Sequence, residues 1–287
     1  MAQIISRAMH DSIESSSWIR RMFDEGVRLK QEHGPENVCD LALGNPILEP
    51  PAAFHESLHR LLHEGPPGSH RYGPNAGLPD VREFLAAELS AETGLAYSGA
   101  HLVVTTGAAG AINVLLKAIL DPGDEVVTLC PYFVEYDFYA ANHGGVLVRA
   151  ETDDRFQPDL EALERVITPR TRALIVNSPN NPTGAVYPEA ALRGVADVLR
   201  AASQKHGRPI LLISDEPYRR VVFDGLEVPW IPPLYDHTLV VTSYSKDLGL
   251  AGERIGYVAA SPRIEGWEAL VEAMVLANRV LGFVHAP

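Results

Sequence analysis

Lys246 lies in the stretch T-S-Y-S-K-D-L-G-L-A-G-E-R-I-G-Y, with Ser243 and Ser245 just before it and Arg254 eight residues on. Hydroxyls and a guanidinium around one amine are the groups that hold a phosphate beside a nucleophile. A lysine that condenses with a phosphorylated aldehyde needs this company. Lysine is scarce here: four of the 24 basic residues are lysines and the rest are arginines. An amine in an apolar setting therefore stands out from the ordinary surface cation.

Other residues could serve the same chemistry. Asp215, in I-S-D-E-P-Y, follows an apolar run, and ligands of open α/β sheets collect outside the carboxyl ends of strands. A carboxylate there can keep a pyridine nitrogen protonated, or simply cap the turn that follows. Tyr218, three residues later, can hydrogen-bond a phenolic oxygen on the same ring. Asn177 to Gly184 (N-S-P-N-N-P-T-G) is a rigid loop with two X-Pro bonds, and Asn181 offers it an amide donor. Thr105 to Ala111 (T-T-G-A-A-G-A) joins a strand to a helix, where small residues let backbone N–H groups approach an anion. The same glycines also suit plain packing, and no Gly-Lys-Ser/Thr follows as in a nucleotide loop. Phe133 falls after a strand and can stack on a flat heterocycle or fill the core. Tyr72 sits in a Gly/Pro-rich loop as a contact residue or a simple loop residue. His55, His59 and His63 recur every four residues, but no carboxylate-rich partner site accompanies them, so they read as a solvated face and no metal is expected.

These residues need a scaffold, and the pattern supplies one. Continuous apolar runs at 101–105, 125–129, 146–149, 172–176, 210–214, 238–241 and 255–259 predict strands covered on both faces. Helical patterns at 108–120, 132–141, 158–166 and 188–206 alternate with them, and Arg263 to Gly282 forms another. The expected fold is α/β: a three-layer α/β/α sandwich with a mostly parallel mixed sheet, plus part of a smaller domain. Residues 1–50 are assigned to that smaller domain and 51–287 to the large one. Ser17 to His33 reads as an amphipathic helix carrying Ile19, Met22, Phe23, Val27 and Leu29. The Pro-rich stretch at 45–51 reads as a linker. The chain ends abruptly after its last helical pattern, like a cut.

A net charge of −13 argues against nucleic acid as the main partner. Cys39 and Cys130 have neither disulfide-framework nor zinc spacing. No signal peptide or spanning apolar run is seen, so no membrane partner is expected and a cytoplasmic setting is.

In series, Y-G-P-N-A-G-L-P, T-G-A-A-G-A, D-P-G-D-E-V, P-Y-F-V-E-Y, N-N-P-T-G, D-E-P-Y and S-Y-S-K with G-E-R-I-G resemble the fold-type-I pyridoxal-phosphate enzymes, specifically the class I/II aminotransferases. The match runs from about Leu41 to the last residue. The resemblance implies pyridoxal 5'-phosphate as cofactor, with Lys246 forming the internal aldimine and acting as acid and base. It implies Asp215 at the pyridinium, Asn181 and Tyr218 at the ring oxygen, and Phe133 as the stacking ring. Gly107, Ala108, Ala109, Ser243, Ser245 and Arg254 would hold the phosphate. Tyr72 would reach the phosphate of a neighbouring subunit, which implies a homodimer, and Gly44 would sit with Asn181 at the substrate carboxylate. The implied reaction is transamination between an L-amino acid, aspartate or similar, and a 2-oxo acid. A carbon–sulfur β-lyase of the same fold and a catalytically inactive cofactor-binding fragment are the alternatives. The chain departs from the family at its C-terminus, where the segment carrying the arginine for the substrate α-carboxylate is absent. Its loss should leave an apolar patch on the N-terminal helix.

Overall fold

The computed structural model describes residues 4–284 apart from 42, 43, 45, 47, 66, 69 and 70. Parts of the 38–51 stretch, the side chains of Ile19 and Phe23, and the last three residues thus lie outside the described residues. The chain divides into two compact units, Met1–Ile47 and Leu48–Pro287.

The first unit is built on α1 (Arg7–His33), which starts ten residues earlier than the hydrophobic spacing suggests. Its start is set by a cap: Ser6 Oγ accepts the Met9 N–H, satisfying one of the helix's orphan donors. Lys30 pairs with Asp40 at 2.7 Å. Met9, Ile13, Met22 and Val27 are exposed on this helix.

The second unit holds one seven-stranded sheet. Its strands are β1 (Leu102–Thr106), β2 (Glu125–Cys130), β3 (Val146–Glu151), β4 (Thr171–Asn177), β5 (Leu211–Asp215), β6 (Thr238–Ser243) and β7 (Ile255–Ala260), in the order β1-β7-β6-β5-β4-β2-β3. All seven predicted strands are present, with ends shifted by one or two residues. β7 runs antiparallel to both of its neighbours, and every other pairing is parallel.

Strand pleating divides each strand between two cores. Ala173 and Ile175 of β4 face α4 (Gly107–Ile119), α5 (Glu135–Ala141) and α8 (Trp267–Leu281). Leu174 and Val176 face α6 (Leu160–Val166) and α7 (Glu189–His206). At the β1 edge, α3 (Pro79–Thr93) buries Leu85, Ala86 and Leu89 against Leu102, Val104 and Tyr257. This is the expected three-layer α/β/α sandwich with a mixed, mostly parallel sheet. α2 (Ala52–Glu64) carries His55, His59 and His63, all exposed.

The reversal of β7 matters for the site. β1 to β6 all end at one edge of the sheet, and β7 begins there: Thr106 pairs with Ile255, and Ser243 with Gly256. One edge therefore collects six strand ends and one strand start, and Arg254 enters it immediately before β7.

Candidate active site

Asp215 closes β5 and is 5% exposed. The Tyr136 hydroxyl, from the first turns of α5, donates to its Oδ2. Its Oδ1 is buried with no hydrogen-bond partner among the described residues. Burial lifts the Asp215 carboxyl to about 7; the Tyr136 hydrogen bond opposes that rise and the neighbouring Glu216 charge adds to it. Burial, then the Asp215 charge, drives the Tyr136 hydroxyl well above its usual range, so it stays a donor. A buried acceptor with an open lone pair at a strand end is a seat for a cationic N–H.

β4 ends beside β5, with Asn177 paired to Asp215. Past it, the 177–184 loop brings Asn181 Nδ2 to within 3.1 Å of Tyr218 Oη. Burial raises the Tyr218 hydroxyl, and the hydrogen bond from Asn181 works against that rise. Two donors thus converge on one point, where an anionic oxygen could accept from both. Lys246 Nζ lies 5.9 Å from the Tyr218 ring centroid. Half-buried beyond β6, it has its amine pulled below the ordinary lysine value, chiefly by burial and then by the Arg254 charge. A larger neutral fraction makes it a better nucleophile and base.

The opposite end of the site is built for an anion. α4 begins at Gly107, and Thr106 gives it no side-chain cap, so the first-turn N–H groups at Ala108 and Ala109 face out unpaired by the helix. Gly107 has φ +70°, and a Cβ there would come within 3.0 Å of Arg254 Nη2. That proximity places the guanidinium over the helix start. Gly256 explains why the turn can lie so low on the sheet: a Cβ on it would sit 2.6 Å from both the Gly107 carbonyl carbon and the Thr242 oxygen. Ser243 and Ser245 are buried alongside. Phe133 is half-buried, its ring edge-on to Tyr136 with centroids 5.7 Å apart.

The model of the family "Aminotransferase class I and II" matches residues 36–283. The chain belongs to the class I and II aminotransferases. Among curated relatives, the aspartate/prephenate aminotransferase of Thermus thermophilus is 41% identical over 225 residues, covering 78% of this chain and 56% of the relative. The aspartate aminotransferase of Geobacillus stearothermophilus is 34% identical over 233 residues, 79% of this chain and 57% of the relative. The chain thus spans little more than half the length of these relatives. An aminotransferase structure from Eubacterium rectale superposes with a TM-score of 0.95 at 37% identity, covering all of this chain and 73% of that one. The Thermus thermophilus aspartate aminotransferase solved with maleate gives 0.80 at 34% identity, covering 93% and 66%.

Within this aminotransferase chain, the sheet edge gathers Lys246, Asp215, Asn181, Tyr218, Gly107, Ala108, Ala109, Ser243, Ser245, Arg254 and Phe133. Tyr72 and Gly44 are carried by other segments of the chain. Tyr72 is wholly exposed, although its loop is pinned: Asn278 of α8 donates to the Asn75 and Val104 carbonyls. Gly44 lies in the first unit. Tyr136, Asn177 and Gly256 are additions that sequence reasoning left without a role. Tyr136 and Asn177 act on partners 79 and 38 residues away, which no local pattern announces. The glycine in G-E-R-I-G was the one signal available for Gly256.

Proposed function

We propose that this chain binds pyridoxal 5'-phosphate at the sheet edge, bonded through Lys246, and supports transamination between an L-amino acid and a 2-oxo acid. The observation that carries this reading is the buried Asp215 Oδ1, which has no hydrogen-bond partner among the described residues and suits a cationic ring N–H. The remaining residues fit the same group. The α4 start, Ser243, Ser245 and Arg254 suit its phosphate, Asn181 and Tyr218 its ring oxygen, and Phe133 its ring face. When bound, the cofactor supplies a reactive carbonyl and an electron-withdrawing ring. The chain does the rest: Asp215 holds the ring-nitrogen proton, Arg254 and the helix start fix the phosphate, and Lys246 Nζ moves the proton at the substrate Cα.

Aspartate is the proposed donor. It is supported by relatives named as aspartate/prephenate aminotransferases and by a related structure holding the dicarboxylate maleate. Gly44 and Asn181 are proposed to meet the substrate carboxylate. We read the first unit as part of a smaller domain and the protein as a homodimer, with the exposed Tyr72 reaching a neighbour's phosphate. Its two free cysteines suit a reducing, cytoplasmic setting. No helix among the described residues is long and apolar enough to cross a membrane.

The test is direct. The chain is incubated with pyridoxal 5'-phosphate, reduced with borohydride and mapped by mass spectrometry, then assayed with aspartate and a 2-oxo acid. A single adduct on Lys246, lost in Lys246→Ala, is expected. An adduct that persists in that variant would sink the reading.

A further inference from the structure

Asn177 is 5% exposed and sits where β4 gives way to the 177–184 loop. Its amide is used in two directions. Nδ2 donates to the Asp215 carbonyl at 2.8 Å, and Oδ1 accepts the Asn181 N–H at 2.7 Å. Asn181 then donates to Tyr218 at 3.1 Å. The β4–β5 pairing reaches only as far as Asn177 opposite Asp215. Beyond that point the side chain of Asn177 carries on the connection that the backbone ladder has stopped making. Neighbouring Asn180 is committed elsewhere, to the Pro131 carbonyl and to Thr183.

One buried amide thus ties the backbone of the ring-nitrogen partner to the backbone of a ring-oxygen partner. We propose that Asn177 is a positioning residue: it sets the span between Asp215 and Asn181, so that one flat ring engages both ends at once. This inference rests on the cofactor reading above. Sites of this kind tolerate displacements of only about half an ångström before their hydrogen bonds weaken. Donors at a phenolic oxygen favour its ionised form, so slack at Asn181 must make that oxygen harder to ionise.

The experiment uses the chain loaded with pyridoxal 5'-phosphate. Cofactor dissociation constant and the pH midpoint of the bound cofactor's visible absorbance are measured for wild type, Asn177→Ala, Asn181→Ala and the double variant. Asn177→Ala is expected to weaken cofactor binding roughly tenfold, the scale of a lost buried hydrogen bond. It should also move the absorbance midpoint upward by about one pH unit. In the Asn181→Ala background the second shift should fall to less than half, because the residue it acts through is gone. A lowered melting temperature with an unmoved midpoint, or equal shifts in both backgrounds, would overturn the proposal. Should Asn177→Ala fail to fold, Asn177→Asp keeps the acceptor for Asn181 and loses the donor to Asp215. Weakened cofactor binding in that variant supports the proposal, and wild-type binding overturns it. If wild type itself gives no visible absorbance with the cofactor, both readings fall; normal wild-type absorbance with unshifted variants sinks this one alone.

Discussion

Tyr136 donates its hydroxyl to one oxygen of Asp215, and the other has no hydrogen-bond partner among the described residues, so a buried carboxyl is half satisfied there. The pair joins α5 to the end of β5 across 79 residues of sequence. Its consequence is electrostatic. The hydrogen bond is the influence holding the Asp215 pKa down against burial and the Glu216 charge.

Tyr136→Phe should therefore push the Asp215 carboxyl above its present value of about 7. More of it would then be protonated at neutral pH, and a protonated carboxyl cannot accept from a ring N–H through a full charge. Cofactor affinity at pH 7 should fall by about tenfold or more, as for a lost charge-assisted bond. The loss should shrink as pH rises past the new pKa. A titration of the dissociation constant against pH in both proteins checks this, and pH-independent loss would contradict it.

The cofactor-free protein should become less stable as pH rises from about 4 to about 7. Asp215 has its folded pKa raised to about 7 from 3.8, so in this window the folded state binds the extra proton. Stability is greatest below the unfolded value and declines through the window. The raised carboxyls of Glu216 and Asp247 act in the same direction. A shift of this size sets a ceiling of roughly 4 kcal/mol on the Asp215 share. Denaturant melts at pH 5 and pH 7.5 should show a larger decline in wild type than in Asp215→Asn, and equal declines would refute the assignment.

How much of this could be read beforehand depended on where the physics is local. Most of the strands were legible because a strand buried on both faces is a continuous apolar run; the edge strand β3 kept a short apolar run at 146–148, although it is half exposed. α3 announced itself with Pro79 at its start and Gly94 at its left-handed end, yet its apolar face is confined to a few positions, and it went unread. The start of α1 was missed because Ser6 caps a polar stretch that shows no apolar period. In the site, Lys246, Asp215, Asn181 and Arg254 were legible from their types and strand-end positions. Asn177 and Tyr136 were not, because their meaning lies in a partner on another element. Tyr72 was legible as an exposed loop aromatic, and the structure leaves it exposed.

Gly256→Ala should damage the anion end of the site more than Gly107→Ala does. At Gly256 the added carbon meets backbone atoms, Gly107 carbon and Thr242 oxygen at 2.6 Å and Gly107 Cα at 2.8 Å. Neither strand can yield without losing ladder bonds, so a cost of about 1–3 kcal/mol is expected. At Gly107 the nearest atom is the tip of the Arg254 side chain, which can swing aside, although the φ of +70° adds strain. Melting temperatures rank the two variants, and inorganic phosphate binding reads the anion site separately. A Gly256→Ala protein as stable as wild type would show that the turn does not rest on β7 as described.

Arg219→Ala should be among the most destabilising single changes near the site. Glu216, whose side chain is 3% exposed, accepts from Ser214 at 2.5 Å and from Arg219 at 3.1 Å. Arg219 also donates to the Val228 and Pro229 carbonyls and lies over the Trp230 ring, 3.5 Å from its centroid. Removing it strands a buried carboxylate and two carbonyls, which costs about 3–5 kcal/mol. The Glu216 carboxyl, already raised by burial, should respond by taking up a proton, so the loss should be smaller at acid pH than at neutral pH. Glu216→Gln in the same background should recover part of the stability, since a neutral amide needs no counter-charge. A double-mutant cycle from denaturant melts at pH 5 and pH 8 measures the coupling. If the two substitutions simply add at pH 8, the pair is not the buried ionic contact its geometry describes.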